Sequence, residues 1–246
     1  MPSPDASPVV DHPPSPAEGA QPLNLSERPN SLTEVVYDAI RQGIIDKRLA
    51  PGSRVTEAGL AEQLGVSKTP VREALLRLRE AGVIEPHGRR GGRVVRPSQT
   101  AIRHAFEARE ALESYAAGRA AELADYGQIT TLIEAATRGL ARARANDPEG
   151  FVNEDALFHG LIGQSARNPV LARMIRDALT LALTLRQRDR PLATASMLCA
   201  NAHMRIAEAI ARREAAVAED EMRSHIRFVL AVVLDPEGAP AAEVAV

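Results

Sequence analysis

The chain has 246 residues, of which 45% are hydrophobic and 3% aromatic, and its formal net charge of −2 excludes no class of partner by itself. This length favours two modest domains, and the scarcity of aromatic residues favours helical cores of Leu, Ala, Val and Ile. No run approaches the roughly 18 apolar residues of a membrane span, and there is no basic-then-apolar leader. The single Cys199 excludes an intramolecular disulfide. We therefore expect a cytoplasmic protein.

Residues 1–30 are expected to form a disordered tail. They contain eight of the 17 prolines and few large apolar side chains, so they bury too little surface to offset chain entropy. Order is predicted to begin at Ser31, which forms a capping-box pattern with Glu34. An apolar stripe at helical spacing follows, formed by Leu32, Val35, Val36, Ala39, Ile40 and Ile44.

Two short helices separated by a tight turn are predicted between Thr56 and Leu78. Thr56 is the expected N-cap of the first helix, and Gly65 provides the turn. The second helix has Ser67 as its expected N-cap, because the Ser hydroxyl can accept from an N–H of the first turn. Pro70 falls within that turn, where a missing N–H is harmless.

The second of these helices is predicted to be amphipathic. Its apolar face is formed by Val71, Ala74, Leu75 and Leu78. Lys68, Thr69 and Arg72 fall off this face and gather at the N-terminal end, which is the end that a recognition helix presents to DNA bases and phosphates. The alternative is that Arg72, Arg77 and Arg79 form an ordinary solvated face, but the turn before the helix and the hairpin after it favour DNA binding.

A short β-hairpin is predicted after this helix. Gly82 lies at the expected C′ position, and residues 83–85 and 93–96 can pair around a Gly-rich tip at 86–92. This tip carries Arg89 and Arg90 toward the DNA backbone or minor groove, as a wing does. Residues 31–98 hold 12 Lys and Arg against 8 Asp and Glu, a net charge of +4, so the rest of the chain carries −6. Basic charge is therefore concentrated where phosphate contacts are predicted.

The run LAEQLGVSKTPVREAL at residues 60–75, followed by the Gly-Gly hairpin, resembles the winged helix of GntR-family transcriptional regulators. The resemblance covers residues 31–98 and implies a homodimer that binds a palindromic double-stranded DNA operator. The DNA contacts that it implies are Ser67, Lys68, Thr69 and Arg72. Some members carry an Arg early in the second helix, where this chain has Ala58, so their base specificity is not carried over.

From Pro97 onward the sequence predicts helices without a convincing strand. Apolar periodicity and breaks indicate six helices, near residues 98–125, 128–145, 148–166, 168–189, 191–212 and 214–234. Tyr126-Gly127 and Asn168-Pro169 are two of the breaks. We therefore predict a mainly α fold with a winged helix-turn-helix domain at 31–97, an all-α helical bundle at 98–235 and a flexible C-terminus at 236–246.

Three His and one Asp of this helical region have a spacing suited to a metal site. Asp155 and His159 lie four residues apart on one helix face, and His203 and His225 lie on two later helices. A bundle can point all four inward at one ion, and three imidazoles with a carboxylate suit a divalent metal such as Zn or Ni, with Mn as a further candidate. Spacing alone leaves open the alternative of ordinary core or surface histidines.

The helical region resembles the FCD ligand-binding domain found behind GntR-type winged helices, in its shorter, VanR-like, six-helix branch. Many members bind a metal through an Asp, a His four residues on and two later His, and the quartet matches that pattern. The resemblance implies a small organic acid (a carboxylate metabolite) as effector, and we expect its binding to release the DNA, so the protein would be a repressor. Arg109 matches a position where the family often carries a pocket-facing Arg, which could clamp a carboxylate. The alternative is a surface Arg paired with Glu110 or Glu113, and Asn201 is a further expected pocket residue.

A metal-dependent hydrolase, or a metal-binding protein with an accessory DNA-binding domain, is the alternative class of function, because such a metal site can in principle activate water. No Glu or Asp stands out in the sequence as a general base beside the quartet, and no motif surrounds Cys199. The sequence also has no phosphate-binding loop and no Ser-x-x-Lys pattern. It therefore predicts a sensor and not an enzyme.

Overall fold

The computed structural model describes residues 32–88, 91–185 and 193–235. The first part contains α1 (Leu32–Ile45), β1 (Arg54–Thr56), α2 (Glu57–Leu64), α3 (Lys68–Glu80), β2 (Ile84–Pro86) and β3 (Gly91–Val94). The second contains α4 (Gln99–Leu123), α5 (Tyr126–Arg144), α6 (Pro148–Ser165), α7 (Pro169–Leu185), α8 (Ala193–Ala211) and α9 (Ala215–Leu234). The expected N-terminal tail, the Ser31 cap, the wing residues Arg89 and Arg90 and the expected flexible C-terminus lie outside the described residues.

The first three helices form a helix-turn-helix around one apolar core. All four residues of the predicted apolar face of α3 are at most 1% exposed. Gly65 ends α2 with a φ of +65°, a conformation that Gly adopts at little cost, and this turn sets α3 across α2. The Thr56 hydroxyl accepts a hydrogen bond from the Gly59 N–H at 3.1 Å, which confirms the predicted N-cap of α2.

The expected cap of α3 is wrong in one respect. Ser67 occupies the N-cap position with an extended backbone, but within the described chain its side chain accepts no cap hydrogen bond. The reason lies in the next turn, because Pro70 fills the third helical position and has no N–H to donate. Ser67 is consequently an exposed residue at the tip of the helix and not a hydrogen-bonded cap.

The wing belongs to a three-stranded antiparallel sheet with the order β1-β3-β2. The predicted hairpin is present as β2 and β3, with Ile84 opposite Val94, but β1 was not predicted from the sequence. Gly91 and Gly92 lie in the central strand and not in the predicted flexible tip. A Cβ atom on Gly92 would clash with the Ile84 side chain, so this Gly allows the strands to approach closely.

Six helices, α4 to α9, make up the second part of the described chain, as predicted. The start of α5 differs from the prediction: Tyr126 begins the helix because Asp125 and Gln128 form a reciprocal capping box, so Tyr126-Gly127 is not a break. The 25-residue α4 packs against α6, α7, α8 and α9 around a core of Ala, Ile, Leu and Phe side chains.

The two parts of the chain are in contact. The helices α1 and α7 touch, and Leu181 of α7 packs against both the helix-turn-helix core and the helical-bundle core. A covalent link runs through residues 95–98, so α4 starts directly after β3. Along the described ranges, none of the helices is long and apolar enough to span a bilayer.

Candidate DNA-reading helix and buried histidine cluster

The N-terminal end of α3 is exposed. Ser67, Lys68, Thr69 and Arg72 are all solvent-accessible and lie within its first turns, while Val71 on the opposite face is fully buried. The structure therefore brings the four predicted contact residues onto one accessible tip. An exposed helix N-terminus with cationic side chains has the charge and the free N–H groups to meet a phosphate backbone.

Arg72 is not free on this tip, because Glu57 at the start of α2 holds its side chain. The Arg72 Nη2 lies 3.1 Å from the Glu57 Oε2, and the Arg72 Nε donates to both carboxylate oxygens at 3.2–3.3 Å. Sequence reasoning missed Glu57, and a separation of 15 residues gives no local signal for it. The pair aligns the guanidinium across the turn, and a DNA contact by Arg72 has to share or replace this carboxylate.

The other two arginines of α3 have structural partners that neither sequence interpretation foresaw. Arg77 lies over the Tyr37 ring with its guanidinium carbon 4.1 Å from the ring centroid. Arg79 donates a hydrogen bond to the carbonyl of Gly91 and so ties the recognition helix to the central strand of the wing. Of the three arginines, Arg72 alone lies on the predicted DNA-reading tip.

Asp155, His159, His203 and His225 converge in the interior of the helical bundle. Two of them come from α6, one from α8 and one from α9, and each is at most 3% exposed. Their donor atoms all lie within 4.8 Å of one another. The His225 Nε2 is 3.2 Å from the Nε2 atoms of both His159 and His203. The Asp155 Oδ1 is 3.7 Å from the His159 Nε2 and 3.6 Å from the His203 Nε2.

This geometry fits a metal ion better than a set of hydrogen bonds. One Nε2 atom has a single in-plane direction for a proton or a lone pair, so His225 cannot hydrogen-bond to both neighbouring imidazoles at once. With bonds of about 2.1 Å, metal ligands lie about 3.4 Å apart in a tetrahedron and about 3.0 Å apart at adjacent octahedral positions. Four of the six separations are 3.2–3.7 Å, close to these values, and all six are within 4.8 Å. The donor set can therefore hold a divalent cation.

Glu113 of α4 is the residue beside the cluster that sequence reasoning missed. Its Oε2 lies 2.5 Å from the His159 Nδ1, the ring atom that points away from the centre of the cluster. Its Oε1 accepts a hydrogen bond from the Arg109 Nε at 2.6 Å, and both side chains are at most 1% exposed. The alternative of a surface Arg109 is therefore wrong, although its pairing with Glu113 is present. Whether Arg109 also binds an effector stays a prediction.

The charge states of these groups suit metal binding. Burial and the neighbouring His159 lower the pKa of His203 to about 3, so its imidazole is neutral, which is the form that binds metals. Burial alone would raise the pKa of Glu113, but the Arg109 guanidinium and the contact with His159 outweigh it and lower that pKa to about 2. Ionised Glu113 can hold a proton on the His159 Nδ1 and leave the Nε2 lone pair facing the cluster.

Phe158 packs against the histidine cluster, whereas Asn201 and His104 lie outside it. The ring of Phe158 stacks on His203 with centroids 4.3 Å apart, which fixes the imidazole plane. Asn201 is exposed on α8, about 200° around the helix from His203, so the expectation that it lines the same pocket is wrong. His104 is exposed on α4 and is not a member of the cluster.

Two family models match this chain. The model described as bacterial regulatory proteins, gntR family, matches residues 32–94, and that of the FCD domain matches residues 104–228, just over half of the chain. The gntR match contains the helix-turn-helix and most of the wing. The FCD match contains all four residues of the histidine cluster.

Relatives align over most of their length. The HTH-type transcriptional repressor RspR of Escherichia coli strain K12 is 24% identical over 198 residues, which are 80% of this chain and 87% of RspR. A protein of the same strain named for regulation of the L-lactate dehydrogenase operon is 30% identical in an alignment 230 positions long, which covers 82% of this chain and 86% of that protein. A protein of Paenarthrobacter nicotinovorans named for repression of a D-xylose utilization operon is 28% identical, covering 85% of this chain and 91% of that protein.

Solved structures share the fold. Escherichia coli McbR/YncC superposes with a TM-score of 0.73 at 22% identity, covering 84% of this chain and 98% of that chain. A transcriptional regulator GntR from Rhodococcus sp. RHA1 superposes with a TM-score of 0.59 at 21% identity, covering 82% of this chain and 97% of that chain.

Proposed function

Since this chain belongs to the GntR family of bacterial transcriptional regulators and carries an FCD domain, we propose that it is a metal-containing repressor controlled by a small organic acid. The observation that carries the proposal is the convergence of Asp155, His159, His203 and His225 behind an exposed recognition helix. The family comprises transcriptional regulators, so the chain is a DNA-binding protein and the alternative of a hydrolase is not supported.

In this proposal the winged helix-turn-helix domain binds DNA as part of a homodimer. Two copies of α3 would enter successive major grooves of a palindromic operator, about 34 Å apart, in the bacterial cytoplasm. Lys68, Thr69 and Arg72 would contact base edges and phosphates, and Ser67 would contribute its exposed hydroxyl. The wing residues Arg89 and Arg90 would follow the backbone or enter the minor groove.

The histidine cluster is the proposed effector site. Zn or Ni suits three imidazoles and one carboxylate, and Mn is a further candidate. A bound divalent ion supplies a Lewis-acidic centre with positions open to water or to a carboxylate. Relatives named for lactate and xylose operons make hydroxylated metabolites reasonable effectors, and L-lactate is the first acid to test. Arg109 could take the acid's carboxylate only by sharing its contact with Glu113.

The signal would reach the DNA-reading head along α4 and α7. Glu113 contacts the cluster from α4, and α4 follows the wing strand β3 after four residues. Leu181 of α7 contacts the core of the helix-turn-helix directly. A change of tilt in these helices alters the spacing of the two recognition helices, and a coupling of about 1–3 kcal/mol is enough for regulation.

The test combines metal analysis with ligand-dependent stability of the full-length protein. We expect about one Zn, Ni or Mn per chain and its loss in the His159→Ala/His203→Ala variant, with His104→Ala as the matched exposed control. L-lactate or another carboxylic acid should raise the melting temperature of the metal-loaded protein alone and weaken binding to an operator selected from random duplexes. Equal stabilisation with and without metal, or undiminished metal content in the double variant, would refute the proposed site.

A further inference from the structure

A cavity lies between the two domains, on the other side of α6 from the histidine cluster. This interdomain cleft has a volume of about 730 Å³ and is walled by α1, α6 and α7. Small-molecule sites typically measure about 300–1,000 Å³, so a metabolite fits. Asp155 and His159 face the bundle interior, whereas Ala156 and Gly160 of the same helix line the cleft. The cleft is therefore separate from the proposed effector site.

The floor of the cleft is apolar and its rim is cationic. Leu179 and Leu183 of α7 are mostly buried and form part of the floor. Arg41 comes from α1, Arg167 follows α6, and Arg176 lies on α7. Among the described residues that line the cleft, none is Asp or Glu.

The ion-pair partners of Arg41 and Arg167 lie outside the cleft lining and hold these two arginines weakly. Arg176 acts electrostatically on Asp177, its neighbour in the chain, which also lies outside the lining. The Arg41 Nε is 3.5 Å from the Asp38 Oδ1, and the Arg167 Nη2 is 3.1 Å from the Asp125 Oδ2. Asp38 and Asp125 are both more than half exposed, and surface pairs of this kind contribute about 1 kcal/mol or less. An anion in the cleft can therefore exchange with the two carboxylates at low cost.

We propose that the interdomain cleft binds an amphipathic organic anion as a second input to the regulator. Its anionic group meets Arg41 and Arg176, and its apolar part covers Leu179 and Leu183. Because Arg41 belongs to the winged helix and Arg176 to the helical bundle, the ligand contacts both domains and restrains the DNA-reading head.

Gly160 is the position at which an added side chain can test whether the cleft binds a ligand. It lies on α6 in the cleft wall, and a Cβ added there would meet no heavy atom of the described residues within 4 Å. A Leu at this position would extend into the cavity from a Cβ that meets no neighbouring atom of the described residues. An Ala would leave the cavity largely open and, in a helix interior, is expected to stabilise the fold by up to about 1 kcal/mol.

The experiment titrates the full-length protein with 8-anilinonaphthalene-1-sulfonate, an amphipathic anion, and with its neutral analogue N-phenyl-1-naphthylamine, using probe fluorescence. The proposal expects saturable sulfonate binding that Arg41→Gln/Arg176→Gln weakens about tenfold or more, with less than about a twofold effect on the neutral probe. Gly160→Leu should abolish binding of both probes, and Gly160→Ala should retain it. The matched control is Arg205→Gln/Arg227→Gln, which removes two exposed arginines outside the cleft.

Three outcomes would overturn the proposal. Sulfonate affinity unchanged in the Arg41→Gln/Arg176→Gln variant would place the anion elsewhere. Loss of binding on treatment with a chelator would place it at the histidine cluster. Dissociation of a dimer by Gly160→Leu, measured by light scattering, would make the cleft an interface between two copies of the chain.

Discussion

Glu113 and Arg109 are two buried charges within the apolar stripe of α4. Ile102, Phe106, Arg109, Glu113 and Ala117 follow one another at spacings of three or four residues, and all are at most 1% exposed. Two opposite charges at neighbouring positions of an otherwise apolar stripe indicate a buried ion pair, because charged residues are seldom buried without a partner. The sequence could have indicated the buried pair in this way, but its contact with His159, 46 residues on, depends on helix packing.

Replacement of Glu113 tests this contact. Glu113→Gln keeps the size of the side chain and removes the charge that holds the His159 Nδ1 proton, so metal affinity should fall about 10–100-fold. Competition with a chromophoric chelator measures the change. Glu110→Gln is the control, because Glu110 lies on the same helix and pairs with Arg227 at the surface. Unchanged metal affinity in Glu113→Gln with native circular dichroism would contradict the positioning role.

Replacement of Arg72 tests DNA binding without affecting the stability of the fold. It is exposed and, among the described residues, pairs with Glu57 at the surface, so Arg72→Ala should stay folded and lose about 1–3 kcal/mol of operator binding. Fluorescence anisotropy at several salt concentrations measures both the affinity and the number of phosphates contacted. Arg205→Ala, which breaks a comparable exposed pair with Glu221, should bind as the wild type does. Undiminished binding by Arg72→Ala would remove it from the interface.

The secondary structure followed from local patterns, and the differences arose where an element depends on a distant partner. Thr56, Gly65 and the buried face of α3 are local features, and the structure confirms them. The strand β1 has three residues and exists because it pairs with β3, some 37 residues later, so no local period reveals it. The predicted stripe of α1 was partly wrong: Leu32 and Val35 are more than half exposed, whereas Tyr37, which was not in the stripe, is buried.

Gly92, in the central strand of the wing, has no room for a side chain. In Gly92→Ala, the added Cβ would meet the Ile84 side chain and the Glu85 carbonyl across the β2–β3 pair. Overpacking of this kind costs about 1–3 kcal/mol of unfolding free energy, and it displaces the strand that carries the wing. Urea denaturation followed by circular dichroism measures the cost. Gly160→Ala is the opposite case, because it adds the same methyl group to open space, and it should be neutral or stabilising.

The described residues form two apolar cores, which meet where α1 contacts α7. Leu181 packs against both cores, and its Cδ2 would lie 3.7 Å from a Cβ on Gly82, in the turn that ends the recognition helix. A contact at this turn gives the helical bundle a direct hold on α3 without passing through the DNA-contacting tip. This docking cannot be recognised in the sequence, because Leu181 has the same spacing as the other apolar residues of an amphipathic helix.

Coupling between the histidine cluster and the DNA-reading helix should therefore depend on Leu181. Bound metal is expected to slow amide exchange in α6, α8 and α9, which supply its ligands, and, through the docked α7, in the peptide that spans α3 and Gly82. In Leu181→Ala the protection of α6, α8 and α9 should remain, while the metal-dependent protection of α3 should disappear, because the shorter side chain no longer reaches the turn. Hydrogen exchange measured by mass spectrometry, with metal added and with a chelator, resolves these peptides. If α3 stayed protected in Leu181→Ala, the signal would pass instead through α4 and the strand β3, the covalent route between the two cores.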